Sequence, residues 1–234
     1  MESIEIWRER YYTDRESCFA QIQEREDRWE LFLALYLRLA EDTREQYRRL
    51  GIDEKIFRDT MTDLDIWREN CRKQHGVDGL AEYRWLTRHL ELKLFRLGRL
   101  QFEPIGWEKK AALNVHIPQG EPLDPDAVRQ SYRQAYSFFH GSISCYVCGS
   151  WLLLPQLGQI LPPESNIMQF QKDYTVTKLI TDFRQCEERV FPQVLDDPSG
   201  YPESTRLQRG VKQLLLSGEK LGFAMGEMEY HPEF

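Results

Sequence analysis

The sequence predicts an α+β protein, in which an N-terminal helical bundle precedes a mixed, mainly antiparallel sheet with flanking helices. Three observations carry this prediction. Apolar residues recur at helical spacing up to about residue 91. The hydrophobic period then shortens around Leu97-Gly98-Arg99-Leu100-Gln101-Phe102-Glu103. Beyond that string, short strand-like runs alternate with capped helical ones. The predicted domains are therefore 1–91 and 92–234. With 41% hydrophobic and 12% aromatic residues, the chain has enough apolar material for both cores.

In the first part, the stretch from Asp14 to Leu50 reads as helix, with a dense apolar run at Trp29, Leu31, Phe32, Leu35, Tyr36 and Leu39. Gly51 is a stop signal. A second helix is expected from Asp53 to His75, where Phe57, Met61, Leu64 and Cys71 share a face and Gly76 ends the run. A short third helix should cover Gly79 to His89. Trp7, Trp29, Trp67 and Trp85 read as packing anchors. There is no internal repeat, which favours a bundle over a solenoid.

In the second part, Leu92, Leu94, Leu97, Leu100 and Phe102 suit a strand with a bulge at Gly98. Pro104-Ile105-Gly106 has turn composition, and Ala112 to Ile117 alternates apolar and polar residues, so the pair predicts an antiparallel hairpin. Asp124-Pro125 is an N-cap followed by proline at the first helical position, which opens a helix to about Phe139. Ser144 to Ser150 reads as a strand. Leu152 to Leu161 reads as a short helix or turn, and Pro162-Pro163 stops it. Ser165 caps a further short element, Tyr174 to Thr177 is strand-like, and Asp182 to Phe191 is helical. Asp196 to Gly200 forms a loop. Ser204 to Leu216 is an amphipathic helix, and Lys220 to Tyr230 is a last strand carrying small residues at Gly222, Ala224 and Gly226.

Composition also narrows function. The formal net charge of -7 has interleaved signs and no basic stripe to neutralise phosphates, which argues against a nucleic-acid partner. No apolar run approaches the roughly 20 residues that cross a bilayer. The start, Met1-Glu2-Ser3-Ile4-Glu5, lacks a signal-peptide pattern, so no membrane partner and a cytoplasmic location are expected. Five scattered cysteines read as thiols in a reducing compartment. Cys145-x-x-Cys148 is a poor metal pair, because strand residues three apart face opposite ways and no second pair follows; no metal is expected.

Several strings in the second part occur in an unusual combination: Leu97 to Glu103; His116-Ile117-Pro118 with Gly120; and Cys148-x-Ser150-Trp151-Leu152-Leu153-x-Pro155-x-Leu157. Ser165-Asn166-Ile167 with Phe170, and Thr205-x-Leu207-Gln208-Arg209, complete the set. In these the chain resembles a bacterial family with a helical N-acyltransferase N-terminal domain followed by a GNAT-like acyltransferase domain. The resemblance covers about two-thirds of the chain. It implies a GNAT-like sheet, acyl-CoA as co-substrate, and transfer of an acyl group from a small-molecule donor to an amine acceptor. One expected feature has no clean copy here, the superfamily's Gln/Arg-x-x-Gly-x-Gly/Ala diphosphate loop. The corresponding place carries Glu121, Asp124 and Asp126 around a helix N-terminus, where carboxylates take up the anion's role and repel a diphosphate. Residues that bind the cofactor therefore remain unassigned.

For amine acylation the proton acceptors that stand out are Glu103, at a predicted strand end, and His116, at polar phase on the facing strand; the competing roles are a solvated strand-end acid for Glu103 and structural hydrogen bonding for His116. Cys148 is a candidate substrate contact, and a nucleophile only if a basic partner lowers its pKa; the competing role is a small core residue. Trp151 and Asn166 sit where loops line pockets. Arg206 and Arg209 share a helical face with a spacing that can hold a phosphate or carboxylate, or else pair with neighbouring acids. The function expected is acyl-CoA-dependent N-acylation of an unidentified acceptor. The alternative is a non-catalytic ligand-binding or protein-interaction module that retains a GNAT-like fold. A third reading makes the helical part a docking bundle and the sheet the platform of a homodimer.

Overall fold

The structure, a computed structural model, describes residues 2–140 and 143–229. It divides into two compact units, Met1–Leu97 and Gly98–Phe234.

The first unit contains helices α1 (Ile4–Thr13), α2 (Arg15–Gln23), α3 (Arg28–Arg49), α4 (Glu54–His75) and α5 (Tyr83–Leu90), then the short strand β1 (Phe95–Leu97). The single helix expected from Asp14 to Leu50 is two helices, and a further one precedes it. Asp14 makes the first junction: its N–H donates to the Arg10 carbonyl and ends α1, while its carboxylate accepts from the Ser17 N–H and caps α2. Neither break contains glycine or proline, which is why hydrophobic spacing alone runs through them. The core forms where α2, α3 and α5 meet. Phe32 and Tyr83 stack with ring centroids 3.8 Å apart, Phe19 packs edge-on against both, and the buried Tyr36 hydroxyl donates to the Tyr83 carbonyl at 2.6 Å. β1 is tied to α4 through the Arg96 N–H, which donates to Thr60 Oγ1 at 2.9 Å.

The second unit holds β2 (Leu100–Trp107), β3 (Lys110–His116), α6 (Pro125–Phe138), β4 (Cys145–Ser150), α7 (Asn166–Lys172), β5 (Thr175–Ile180), α8 (Gln185–Val190), α9 (Arg206–Leu216) and β6 (Phe223–Glu229). Tyr230, the expected end of the last strand, lies outside the described residues. Within this unit the strand order is β2-β3-β4-β6-β5. All pairs are antiparallel except β3 with β4. That single parallel pair is joined through α6, as a parallel connection requires a crossover.

Two local expectations are corrected. Gly98 does not make a bulge: Gly98 and Arg99 form a turn between β1 and β2. Gly98 has φ +72°, and a Cβ there would sit 2.8 Å from Ser131 Oγ, so both conformation and space favour glycine. Pro104-Ile105-Gly106 is not a turn but part of β2, with Pro104 opposite Leu113. The hairpin instead reverses at Glu108 and Lys109, whose φ values of 45° and 67° are left-handed in residues that carry no sequence signal for it.

Register assigns the faces. Leu100 and Phe102 on β2, Leu113 and Val115 on β3, and Tyr146 and Cys148 on β4 share the buried face. There α6 contributes Tyr132, whose ring lies 5.9 Å from Phe102 and 4.9 Å from Tyr146, and whose hydroxyl meets that of Tyr174 at 2.7 Å. Gly226 of β6 is small because Leu153 and Tyr174 lie directly on it; a Cβ would come within 2.8 Å of Leu153 Cδ1. The other face presents Gln101, Glu103, Asn114 and His116, followed by an apolar group of Ala112, Cys145 and Val147 with Ile105 and Trp107 packed on it. Trp107 Nε1 donates to Glu227 Oε1 at 2.9 Å.

Helix α8 is anchored by a buried carboxylate. Glu187 accepts from Arg184 Nε at 2.8 Å and from the Tyr201 hydroxyl at 2.6 Å. Burial alone pushes the Glu187 carboxyl up, but the bonds from Arg184 and Tyr201 outweigh it and hold the group below its ordinary value. A depressed folded pKa stabilises the fold above the unfolded value, near 4.3, and the stabilisation is lost as pH falls through the folded value. Glu187→Gln is therefore expected to cost about 1.5–3 kcal/mol at pH 7. The gap between variant and wild type should shrink toward pH 3. Urea unfolding at both pH values measures this, and a gap that widens in acid contradicts it.

Candidate active site

The parallel pairing of β3 and β4 covers Ala112↔Cys145, Leu113↔Tyr146 and Asn114↔Val147. Past Asn114 and Val147 both strands continue, each still paired on its outer side: β3 with β2 through Gln101↔His116, and β4 with β6 through Ser150↔Ala224. Between them the ladder ends, so among the described residues the sheet opens into a wedge walled by two strand edges. Backbone N–H and C=O groups at such an edge can pair with an extended ligand that carries amides.

His116 sits in the opened stretch of β3, and the β2–β3 register places Glu103 beside it, diagonally across the pair. His116 Nε2 and Glu103 Oε2 are 3.0 Å apart, with the side chains 22% and 16% exposed, so most of the pair is shielded from water. Asn114 Nδ2 donates to the same Glu103 oxygen at 3.4 Å and lies 3.2 Å from His116 Nε2. A carboxylate only accepts, so the hydrogen bond to Glu103 favours the tautomer with hydrogen on Nε2. Nδ1 is then the nitrogen with the lone pair. The arrangement is a carboxylate-oriented imidazole, which has the chemistry to accept a proton with a counter-ion already beside its charged form.

The other sequence candidates lie elsewhere. Cys148 is on the buried face of β4 with no exposure, and burial pushes its thiol up to about 12, which keeps it protonated at neutral pH. Trp151 begins a short 3-10 helix directly after β4, half-buried, with its N–H donated to Gln185 Oε1 at 2.8 Å. Asn166 is the first residue of α7, half-buried behind the capping Ser165. Arg206 and Arg209 are exposed on α9, and each is held on a backbone carbonyl, Arg206 Nε on Ile160 at 3.0 Å and Arg209 Nη1 on Glu203 at 2.8 Å. Glu103 and His116 are thus brought together, whereas the two arginines are turned to separate loops. All five cysteines are buried thiols, and among the described residues no His, Cys, Asp or Glu cluster is arranged to hold a metal ion.

Sequence reading missed Arg99. Its side chain is buried and donates to three carbonyls of the loop between β3 and α6: Nη1 to Pro118 at 3.0 Å, and Nε to Glu121 at 2.9 Å and Pro122 at 3.2 Å. Its own N–H donates to Ser131 Oγ of α6 at 2.8 Å. Main-chain acceptors leave no pattern in a sequence, so only the burial of an arginine beside a glycine turn could have hinted at this role.

The open, mainly antiparallel sheet is of the kind found in the acyltransferase class, and family models assign the chain to it. The N-acyltransferase N-terminal domain matches residues 1–92 and the GNAT-like C-terminal domain matches residues 94–228. The chain belongs to this GNAT-like N-acyltransferase family. A solved acyltransferase in complex with decanoyl-CoA and teicoplanin superimposes with a TM-score of 0.79 and 26% identity, over 87% of this chain and 67% of that one. An acyltransferase in complex with CoA and 10C-teicoplanin gives the same values. One in complex with decanoyl-CoA gives a TM-score of 0.78, also at 26% identity, over 88% and 67% of the two chains. No curated protein matches. Among the described residues no helix is long and apolar enough to cross a membrane.

Proposed function

We propose that this chain is an acyl-CoA-dependent N-acyltransferase whose donor thioester lies in the wedge between β3 and β4. The observation that carries the reading is the coincidence of that wedge with the Glu103–His116 pair on its β3 side. The amine nitrogen attacks the thioester carbonyl, a C–N bond forms, the C–S bond breaks, and the departing thiolate ends with the proton that the amine gives up, passed on by His116. His116, oriented by Glu103, accepts the proton that the amine loses. Asn114 keeps the carboxylate in place. Trp151 and Asn166, at the loop ends following β4 and preceding α7, are assigned to contact acyl chain or acceptor. The similar structures with teicoplanin bound support a bulky amine-bearing acceptor.

The test is thiol release from decanoyl-CoA in the presence of a panel of amines, read with a thiol-reactive dye. Amine-dependent release is expected with at least one acceptor. Binding of decanoyl-CoA without any amine-dependent release across small amines, aminosugars and teicoplanin-type acceptors would favour the non-catalytic module.

A further inference from the structure

We infer that this chain recognises its donor by the thioester and pantetheine arm, and that the nucleotide diphosphate contributes little to binding. The inference rests on the acyl-CoA reading above and concerns which part of that substrate the protein holds. An anion is bound at a helix N-terminus by N–H groups that have no other partner. At α6 those groups are accounted for. Pro125, the first residue of the helix, has no N–H. The N–H groups of Asp126 and Ala127 both donate to the Asp124 carboxylate at 3.0 Å, and that of Val128 donates to the Asp124 carbonyl at 2.9 Å. The place of a bound anion is thus filled by a side chain of the protein.

Charge acts in the same direction. Glu121, Asp124 and Asp126 are exposed around this helix start. Arg129 pairs with Asp126, and Arg99 is buried with its donors directed to Pro118, Glu121 and Pro122 carbonyls. A diphosphate brought here meets three carboxylates. The pantetheine arm carries no charge and two amides, which suit the strand edges where the β3–β4 ladder ends and are indifferent to the acidic loop.

Calorimetry on the full chain can compare decanoyl-CoA, S-decanoyl-pantetheine and 3′-phosphoadenosine 5′-diphosphate, at low and high NaCl. The two thioesters should bind within about tenfold of each other, with little salt dependence, and the nucleotide should show no binding at millimolar concentration. Decanoyl-CoA binding more than about tenfold tighter than the pantetheine thioester, or binding of the nucleotide alone, overturns the inference while leaving the acyltransferase reading intact. If neither thioester binds, the donor reading itself fails and this inference falls with it. Asp124→Gly supplies a gain-of-function control, since glycine is tolerated at an N-cap and the change releases two N–H groups while removing one carboxylate. The variant should prefer decanoyl-CoA over its pantetheine counterpart more strongly than wild type does. An unchanged preference contradicts the role given to Asp124.

Discussion

Glu103→Gln is expected to lower kcat/KM for amine acylation by about 10²–10⁴-fold while leaving the melting temperature within a degree or two of wild type, and His116→Ala to do the same. Glutamine keeps the size of the side chain but presents a neutral amide. The imidazolium formed on proton transfer then loses its counter-ion, and the amide can donate to Nε2 and select the wrong tautomer. Because the two residues act as a unit, the double variant should be barely slower than either single one. Additive losses, or a full rate in folded Glu103→Gln, would remove the pair from the mechanism. Raising pH should not restore Glu103→Gln, whereas added imidazole should partly restore His116→Ala.

Phe102→Ala carries the largest expected loss of stability, about 3–5 kcal/mol. Phe102 has no solvent exposure and its ring meets both Tyr132 and Tyr146, so truncation opens a cavity between β2, β4 and α6 that rigid aromatic neighbours cannot fill. For a domain with a typical net stability of about 5–15 kcal/mol, this is a third or more of the total. Urea unfolding followed by tryptophan fluorescence measures it. A loss under about 1 kcal/mol would mean that the sheet–helix core repacks freely. The contrast with Glu103, the next residue, is instructive: one position faces the core and the other the opposite surface, so one substitution removes stability and its neighbour removes rate.

That alternation was legible in the sequence, and with it the antiparallel pairing of β2 and β3 and the adjacency of Glu103 and His116. The cap and proline of α6 and the stop at Gly76 were legible as well, because each is written in residue types with one strong backbone preference. The hairpin reversal was not. Pro104 and Gly106 have turn chemistry but lie in a strand, while the actual turn uses Glu108 and Lys109, held left-handed by the pairing of the strands around them. The wedge was invisible for a different reason: it depends on where pairing of β3 and β4 stops, a property of two segments separated by a helix. Likewise the break between α1 and α2 is made by one aspartate, indistinguishable in sequence from the surface carboxylates around it.

Arg99 holds its loop through the main-chain oxygens of Pro118, Glu121 and Pro122. The bond to residue 121 goes to its carbonyl, so it does not depend on which side chain stands there. Over evolutionary time such a loop can explore new sequences without a penalty in folding. For protein engineering it marks residue 121 as a site where a library can be placed beside the wedge on a backbone that Arg99 holds.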